Sequence, residues 1–485
     1  MKRISSLRIF TALALVALLG ACATPPGPLP APRALPAQWL NTAAAPAHSL
    51  APQWWQALGD PAIGALVEQA WNQSPTLAQA RARLSQSQAQ RQASQAALSP
   101  SLTAQADAMR GAQPPTFAAQ TTAQWALQAR WELDLFGAAR AQRDAADQRA
   151  QSAALSVDDA RTTLAVEVVQ AYLAWRHAQG QALIAARDVQ LAEAAARADA
   201  ALAQAGLLSA AQAALSQTVA ANARVQAQAW QEQMGAWLQS LALLCATDAA
   251  EVARAHSGPP QPLPAAPALA VTMVPGDLLS RRPDLAAAHR QWLAAAWEAR
   301  GTAIAQYAPQ LSFAALVGRS RWEVQPSNIM GSVWSLAPSL SLPVWDAGAR
   351  AAQTQAADAA EALARASLEA QWRGAVAEVE QALLRWQAAS QRRQEAEATL
   401  QQWRRIDEAS AAQARAGLVS GQTRVRDERN ALATRSAALD AAREHIAAWL
   451  QLVRAMGGGW QDPAAKPNVT ATTSATTRNV PPISS

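Results

Sequence analysis

Two periods of hydrophobicity alternate along the chain, one helical and one of two residues, and they recur in the same order in each half. In the first half Asp60-Pro61 and Ser74-Pro75 each set a capping residue before a proline. This predicts helices from Pro61 and from Pro75, the second running to about Leu98, where Pro100 stops it. Period 2 then takes over. Leu102, Ala104, Ala106 and Ala108 alternate with Thr103, Gln105 and Asp107. A loop over 110–121, holding Gly111, Pro114 and Pro115, leads to a second alternating segment. There Trp125, Leu127, Ala129, Trp131, Leu133 and Leu135 face one way, and Gln124, Gln128, Arg130, Glu132 and Asp134 the other. Phe136-Gly137 turns the chain into a proline-free stretch predicted as one helix to about Gln204, roughly 100 Å long at 1.5 Å per residue. Gly206 to Ser209 forms a turn, and a return helix runs from about Ala210 to Leu244.

The second half repeats this plan. A helix is predicted from Pro283 to about Gln306, a strand through Leu311, Phe313, Ala315 and Val317, and a loop over 319–328. Trp334, Leu336, Leu340, Leu342 and Val344 then alternate with Ser335, Ala337, Ser339 and Ser341. A long helix covers Asp346 to Ala414, Gly417 to Ser420 turn, and Gln422 to Met456 return. Identical words fall in register between the halves. Ala236-Trp237-Leu238-Gln239 recurs as Ala448-Trp449-Leu450-Gln451, and Gly206-Leu207-Leu208-Ser209 as Gly417-Leu418-Val419-Ser420. Ser74-Pro75-Thr76-Leu77 meets Arg282-Pro283-Asp284-Leu285, and Pro100 meets Pro309. The offset creeps only from 208 to 212, so the chain is one duplication of a unit of about 200 residues.

Strands with Trp and Leu on one face and polar residues on the other make a half-buried sheet in a soluble protein. In an outer membrane they make a barrel wall, lipid outside and water inside. Four strands cannot close a barrel, and open edges are not tolerated in lipid, so several copies must share one. Two chains would supply eight strands and three would supply twelve; periodicity does not choose. The long helices need neighbours too. Leu164, Val168, Tyr172 and Trp175 on the first, and Val376, Val379, Leu383 and Trp386 on the second, form apolar seams amid small alanines.

The N-terminus favours the membrane reading. Lys2, Arg3 and Arg8 precede an apolar run from Ile9 to Leu19, too short to span a bilayer as a mature helix, and Leu19-Gly20-Ala21-Cys22 resembles a bacterial lipobox. Residues 1–21 are then a cleaved signal and Cys22 an acylated N-terminus held in the membrane by its lipid chains. Residues 22–53 are a Pro- and Ala-rich tether, 54–258 the first repeat, 259–276 a linker, 277–462 the second repeat, and 463–485 a disordered tail. Composition agrees with long packed helices: 51% of residues are apolar but mostly alanine, and only 5% are aromatic, tryptophan dominating. A net charge of +6, reduced to +3 by loss of the signal, is too weak and dispersed to point to nucleic acid. With Cys22 acylated, Cys245 stands alone in an apolar run and reads as a small buried hydrophobe. The five histidines have no metal-ligand spacing, and no phosphate loop, dinucleotide fingerprint or nucleophile elbow occurs, so neither cofactor nor catalysis is expected.

Several motifs together resemble the outer-membrane efflux protein family, the TolC-like channel-tunnels, and within it the lipidated NodT-type members that serve RND pumps. They are Trp54-Trp55-Gln56-Ala57-Leu58-Gly59-Asp60-Pro61, Trp131-Glu132-Leu133-Asp134-Leu135-Phe136-Gly137, Arg281-Arg282-Pro283-Asp284-Leu285, Leu342-Pro343-Val344-Trp345-Asp346-Ala347-Gly348, Arg415-Ala416-Gly417-Leu418-Val419-Ser420 and Gly457-Gly458-Gly459-Trp460. The resemblance implies a homotrimer with a twelve-stranded barrel on an α-helical tunnel. It also implies a place in the outer membrane, and two partners: a periplasmic adaptor and an inner-membrane RND pump. It places the hairpin turns at the periplasmic tip, where the adaptor docks. Arg415, Gly417 and Ser420 match the family's turn pattern, whereas the first turn keeps Gly206 and Ser209 but has Gln204 in the arginine position. Acidic residues often ring the closed aperture in this family; those positions fall here on Thr423 and Arg426, with Asp427 adjacent. An arginine ring would favour anions, and a pairing of Arg426 with Asp427 is expected to hold the tip shut. Passive conduction of small molecules delivered by the pump is the function implied. The other readings are a type I secretion channel and a periplasmic coiled-coil scaffold lipoprotein.

Overall fold

A computed structural model describes residues 39–40, 51–112, 119–256, 262–267, 278–324 and 327–460. The signal segment, Cys22 and the tail 463–485 lie outside the described residues, as do most of the tether and most of the 259–276 linker. Within the predicted tether, Trp39 is buried and the Leu40 amide donates to Glu380 Oε1 at 2.7 Å, so the segment touches the second long helix at this point.

A short 3-10 turn, Trp54–Leu58, leads into α1 (Pro61–Gln73) and α2 (Pro75–Ala96). The Asp60 side chain accepts from the Ala62 amide, with Pro61 in the first turn, where its missing N–H costs nothing. Strands β1 (Ser101–Ala112) and β2 (Ala119–Leu133) follow, then α3 (Ala138–Gln204), α4 (Ala210–Leu244) and α5 (Ala249–Ala255). The second half begins with α6 (Leu278–Arg281) and α7 (Pro283–Tyr307), continues through β3 (Gln310–Val324) and β4 (Ser327–Ser341), and ends with α8 (Ala349–Arg415) and α9 (Gly421–Ala455). The duplication is kept in the lengths: α3 and α8 both have 67 residues, α4 and α9 both 35.

The four strands form one antiparallel sheet in the order β1-β2-β3-β4. The strands run further than the alternation alone predicts. Arg110 pairs with Thr121 and Arg319 with Ser332, inside segments expected to be loops, and the ladder continues to Ala112↔Ala119 and Val324↔Ser327. At the other end they stop sooner: β2 ends at Leu133 and β4 at Ser341, before Leu135 and Val344. The reason lies in the next residues. Asp134 turns inward to accept from the Ala139 and Arg140 amides, and Asp346 does the same for Gly348 and Arg350, each also gripping the arginine side chain. These clasps anchor the first turns of α3 and α8 to the sheet.

One sheet face is apolar and uncovered. Trp125, Leu127, Trp131, Val317, Trp334, Leu336 and Leu340 are all exposed on it, where a core-facing sheet would bury them. Its other face carries Gln124, Gln128, Arg130 and Glu132 on β2 and Ser335 and Ser339 on β4.

The apolar core sits at mid-height along the long helices, about 40–55 Å from the start of α3 at 1.5 Å per residue. There Leu164, Val168, Tyr172 and Trp175 of α3 meet Trp54, Trp55 and Ile63, Leu241 of α4 and Cys245 just past its end, Val379 and Leu383 of α8, and Trp449 of α9. Both predicted seams lie here, with Val376 and Trp386 at the margin. Cys245 is fully buried, and burial pushes its thiol up to about 11, which suits an inert packing residue. Towards the sheet, α7 runs back along α3, so that Ser152 Oγ donates to the Ala287 carbonyl at 3.0 Å. Away from it, α4 returns along α3 and α9 along α8. The last turn of α9 closes on Gly457, whose φ is +89° and where a Cβ would lie 1.8 Å from the Arg281 carbonyl oxygen.

Candidate functional site: the distal helical hairpins

Far from the sheet, each half ends in a turn built by the same rule. Helix α3 closes with the Gly206 amide donating to Ala203 O and the Leu207 amide to Leu202 O. Helix α8 closes identically, Gly417 to Ala414 O and Leu418 to Gln413 O. The glycines take the left-handed region that this closure needs, at φ +76° and +73°. Each return helix is capped by a serine: Ser209 Oγ accepts from the Gln212 amide at 3.2 Å, and Ser420 Oγ from the Thr423 amide at 3.1 Å. Ser420 Oγ also lies 3.0 Å from Thr423 Oγ1. The turns thrust Leu207 and Leu418 outward, 75% and 76% exposed, an apolar contact point that none of the described residues covers. Arg415 bends its Nε back to the Ala411 carbonyl at 3.3 Å.

Glycine and serine thus set the two turns, and Gln204 in place of arginine leaves the backbone of the first unchanged. The two tips lie side by side, because Gln422 Nε2 of α9 donates to Asp199 Oδ1 of α3 at 2.7 Å. A matching bond crosses each hairpin internally. Ser410 of α8 donates to Asp427 Oδ2 of α9 at 2.8 Å, and Ser216 of α4 donates to Asp199 of α3.

Thr423, Arg426 and Asp427 all lie in the first two turns of α9, but the structure separates their roles. Asp427 points into its own hairpin to meet Ser410, with its side chain 18% exposed. Arg426 stands out at 71% exposure, 3.7 Å from Asp427 at its nearest. That distance is a loose contact between neighbours in sequence, so the expected pair is present only weakly within one chain. The firm links are others. Arg429 forks onto Asp188 at 2.6 and 3.1 Å, and Asp188 holds its guanidinium above the ordinary value. Arg187 reaches Glu428 at 2.6 and 3.0 Å, Arg424 reaches Glu428 at 3.2 Å, and Arg424 also pairs with Asp407. The first two join α3 to α9, and no spacing in the sequence signals them.

Partly exposed pairs of this kind contribute about 0–1 kcal/mol each. Nearby, an alanine cluster packs Ala192 and Ala196 of α3 against Ala220 and Ala223 of α4, inside the first hairpin and apart from the contact with α9. The links observed here between α3 and α9 are thus polar side-chain contacts at the margin of the helices.

Known proteins place this arrangement. The family description "Outer membrane efflux protein" matches residues 66–247 and 274–458. Outer membrane protein OprJ of Pseudomonas aeruginosa is 30% identical over 93% of this chain and 96% of its own length. The pyoverdine export outer membrane protein OpmQ of Pseudomonas putida is 28% identical over 91% of this chain and 95% of its own. Among solved structures, the outer-membrane channel OprN superposes with a TM-score of 0.76 at 26% identity, covering 90% of this chain and all of that one. The Campylobacter jejuni CmeC outer membrane channel shares the fold, with a TM-score of 0.79 at 18% identity over 90% of this chain and 95% of its own. With two matched repeats, four lipid-facing strands and paired distal hairpins, the chain belongs to the outer membrane efflux protein family.

Proposed function

We propose that this protein is the outer-membrane channel of a tripartite efflux system, conducting small molecules passively from a periplasmic adaptor and an inner-membrane RND pump to the outside. The observation that carries the reading is the pair of like-built tips, each presenting an uncovered leucine at the far end of a helix about 100 Å long. Three copies sharing a twelve-stranded barrel would leave no sheet edge open in lipid, and Cys22 would add an acyl anchor beside it. The docking residues are Gly206, Ser209, Arg415, Gly417 and Ser420. The gate residues are Thr423, Arg426 and Asp427, with Arg426 lining the aperture and the links from α3 to α9 holding it closed.

The test is cross-linking in cells followed by identification of captured partners. An adaptor with an RND pump supports small-molecule efflux, and an ABC transporter moves the reading to type I secretion. Neither, where a known tripartite complex is captured in parallel, removes the docking role of the tips. At the gate, Arg426→Glu is expected to shift the reversal potential of reconstituted channels from anion towards cation preference. Unchanged selectivity would take Arg426 off the aperture.

A further inference from the structure

The apolar face of the sheet ends in arginines. On β3 the residues sharing the face of Phe313, Ala315 and Val317 are next Arg319 and Arg321, level with Trp125 and Ala123 of β2. On β1 the same face carries Ala106 and Ala108 and then Arg110, level with Thr121. From Trp125 to Leu133 the strand climbs about 27 Å, or about 20 Å across the membrane at a tilt near 40°. The arginines therefore start where the hydrocarbon layer ends. They stand at the outer end, because the long helices leave from the opposite end of the strands, at Leu133 and Ser341.

The local shape suits a headgroup. Ala108 and Ala123 are small and leave a trough, with Trp125, 59% exposed, as one wall and Arg319 and Arg321 along it. Arg319 and Arg110 have no ion-pair partner among the described residues. Arg321 meets Glu323 only at 3.8 Å and donates to Asn328 Oδ1 at 3.2 Å. A lone carboxylate thus shares this face with three guanidiniums. Guanidinium matches phosphate in geometry and charge, and the trough opens directly onto the lipid-facing band.

We infer that Arg319 and Arg321, with Arg110 beside them, bind the phosphate of a phosphorylated glycolipid in the outer leaflet. The acyl chains of that lipid lie along Trp125 and Leu127, and the arginines fix how deep the barrel sits.

The detergent-purified full-length protein can be incubated with bisphosphorylated lipid A or with the same lipid after dephosphorylation, and retained lipid counted by native mass spectrometry. The wild type should retain the phosphorylated lipid preferentially. Arg319→Gln/Arg321→Gln should lose it roughly thirty-fold, and Arg130→Gln, on the polar face, should retain it. Equal retention of the two lipids, or by wild type and double variant, overturns the inference. Displacement by equimolar inorganic phosphate also overturns it, as a general anion site would behave that way. Heat-modifiable mobility on electrophoresis checks that the variants are folded. If the double variant does not assemble, Arg319→Gln alone and the two-lipid comparison on the wild type decide.

Discussion

Arg282 is nearly buried and makes four hydrogen bonds: to Asp284 at 2.7 and 3.0 Å, to Glu378 at 2.7 Å and to the Ala455 carbonyl at 3.2 Å. One side chain so ties the start of α7 to α8 and to the end of α9. Burial opposes the charge on Asp284, but the hydrogen bonds and charge of Arg282 outweigh it and hold the carboxyl below its ordinary 3.8. Such a group contributes stability that is present above 3.8 and is lost as pH falls through its lower, folded value. Arg282→Met should cost about 1–3 kcal/mol at neutral pH, since it takes the donor from the part-buried Asp284 carboxylate and from the Ala455 carbonyl, while Glu378 is exposed enough for water to replace its partner. In thermal unfolding the deficit should shrink below pH 4, where Asp284 takes up a proton. A deficit independent of pH would assign the loss to packing instead. The Arg281-Arg282-Pro283-Asp284-Leu285 motif was visible in the sequence, but its partners, Glu378 and the Ala455 carbonyl, lie far along the chain and carry no local signal.

Helices and strands were largely legible because each has one dominant period. The two hairpin turns were legible because left-handed glycine followed by capping serine is a local device. The same locality gives a prediction. A β-branched side chain at φ +73° is strained by about 1–2 kcal/mol, and Ser420→Ala removes a cap contributing about 1 kcal/mol. Gly417→Val with Ser420→Ala should speed hydrogen exchange at the Leu418 and Thr423 amides and leave the Leu452 amide, in the mid-height core, unchanged. Loss of protection at both places would mean that the tip is not an independent element. The strand ends were misjudged for a physical reason. Arg110, Arg319 and Arg321 mark where the strands leave the hydrocarbon, and their backbones go on pairing. The cross-links of α3 to α9 could not be read at all, because they depend on the relative rotation of helices separated by 241 positions.

At the scale of the molecule, stability is divided between a dense middle and looser ends. His289 on α7 is half-buried and His445 on α9 is buried. Burial first, and then Arg290 beside His289 and Arg393 beside His445, lowers both below the ordinary 6.5. Groups depressed in this way contribute stability present above 6.5 and lost as pH falls through their folded values. Acidification from pH 7 to 5 should lower the unfolding temperature, and His289→Gln with His445→Gln should flatten that dependence. An equally steep profile in the double variant would place the sensitivity elsewhere. The duplication itself leaves a mark at the tips. Shifted by 211, Asp199 falls on Ser410 and Ser216 on Asp427, so the two halves keep one hydrogen bond with its residues exchanged. No single substitution makes that exchange. A hairpin with serine at both positions could still bond without charge, whereas one with aspartate at both would repel. What the two halves share at the tip is therefore the bond across the hairpin, and not the residue at either end of it.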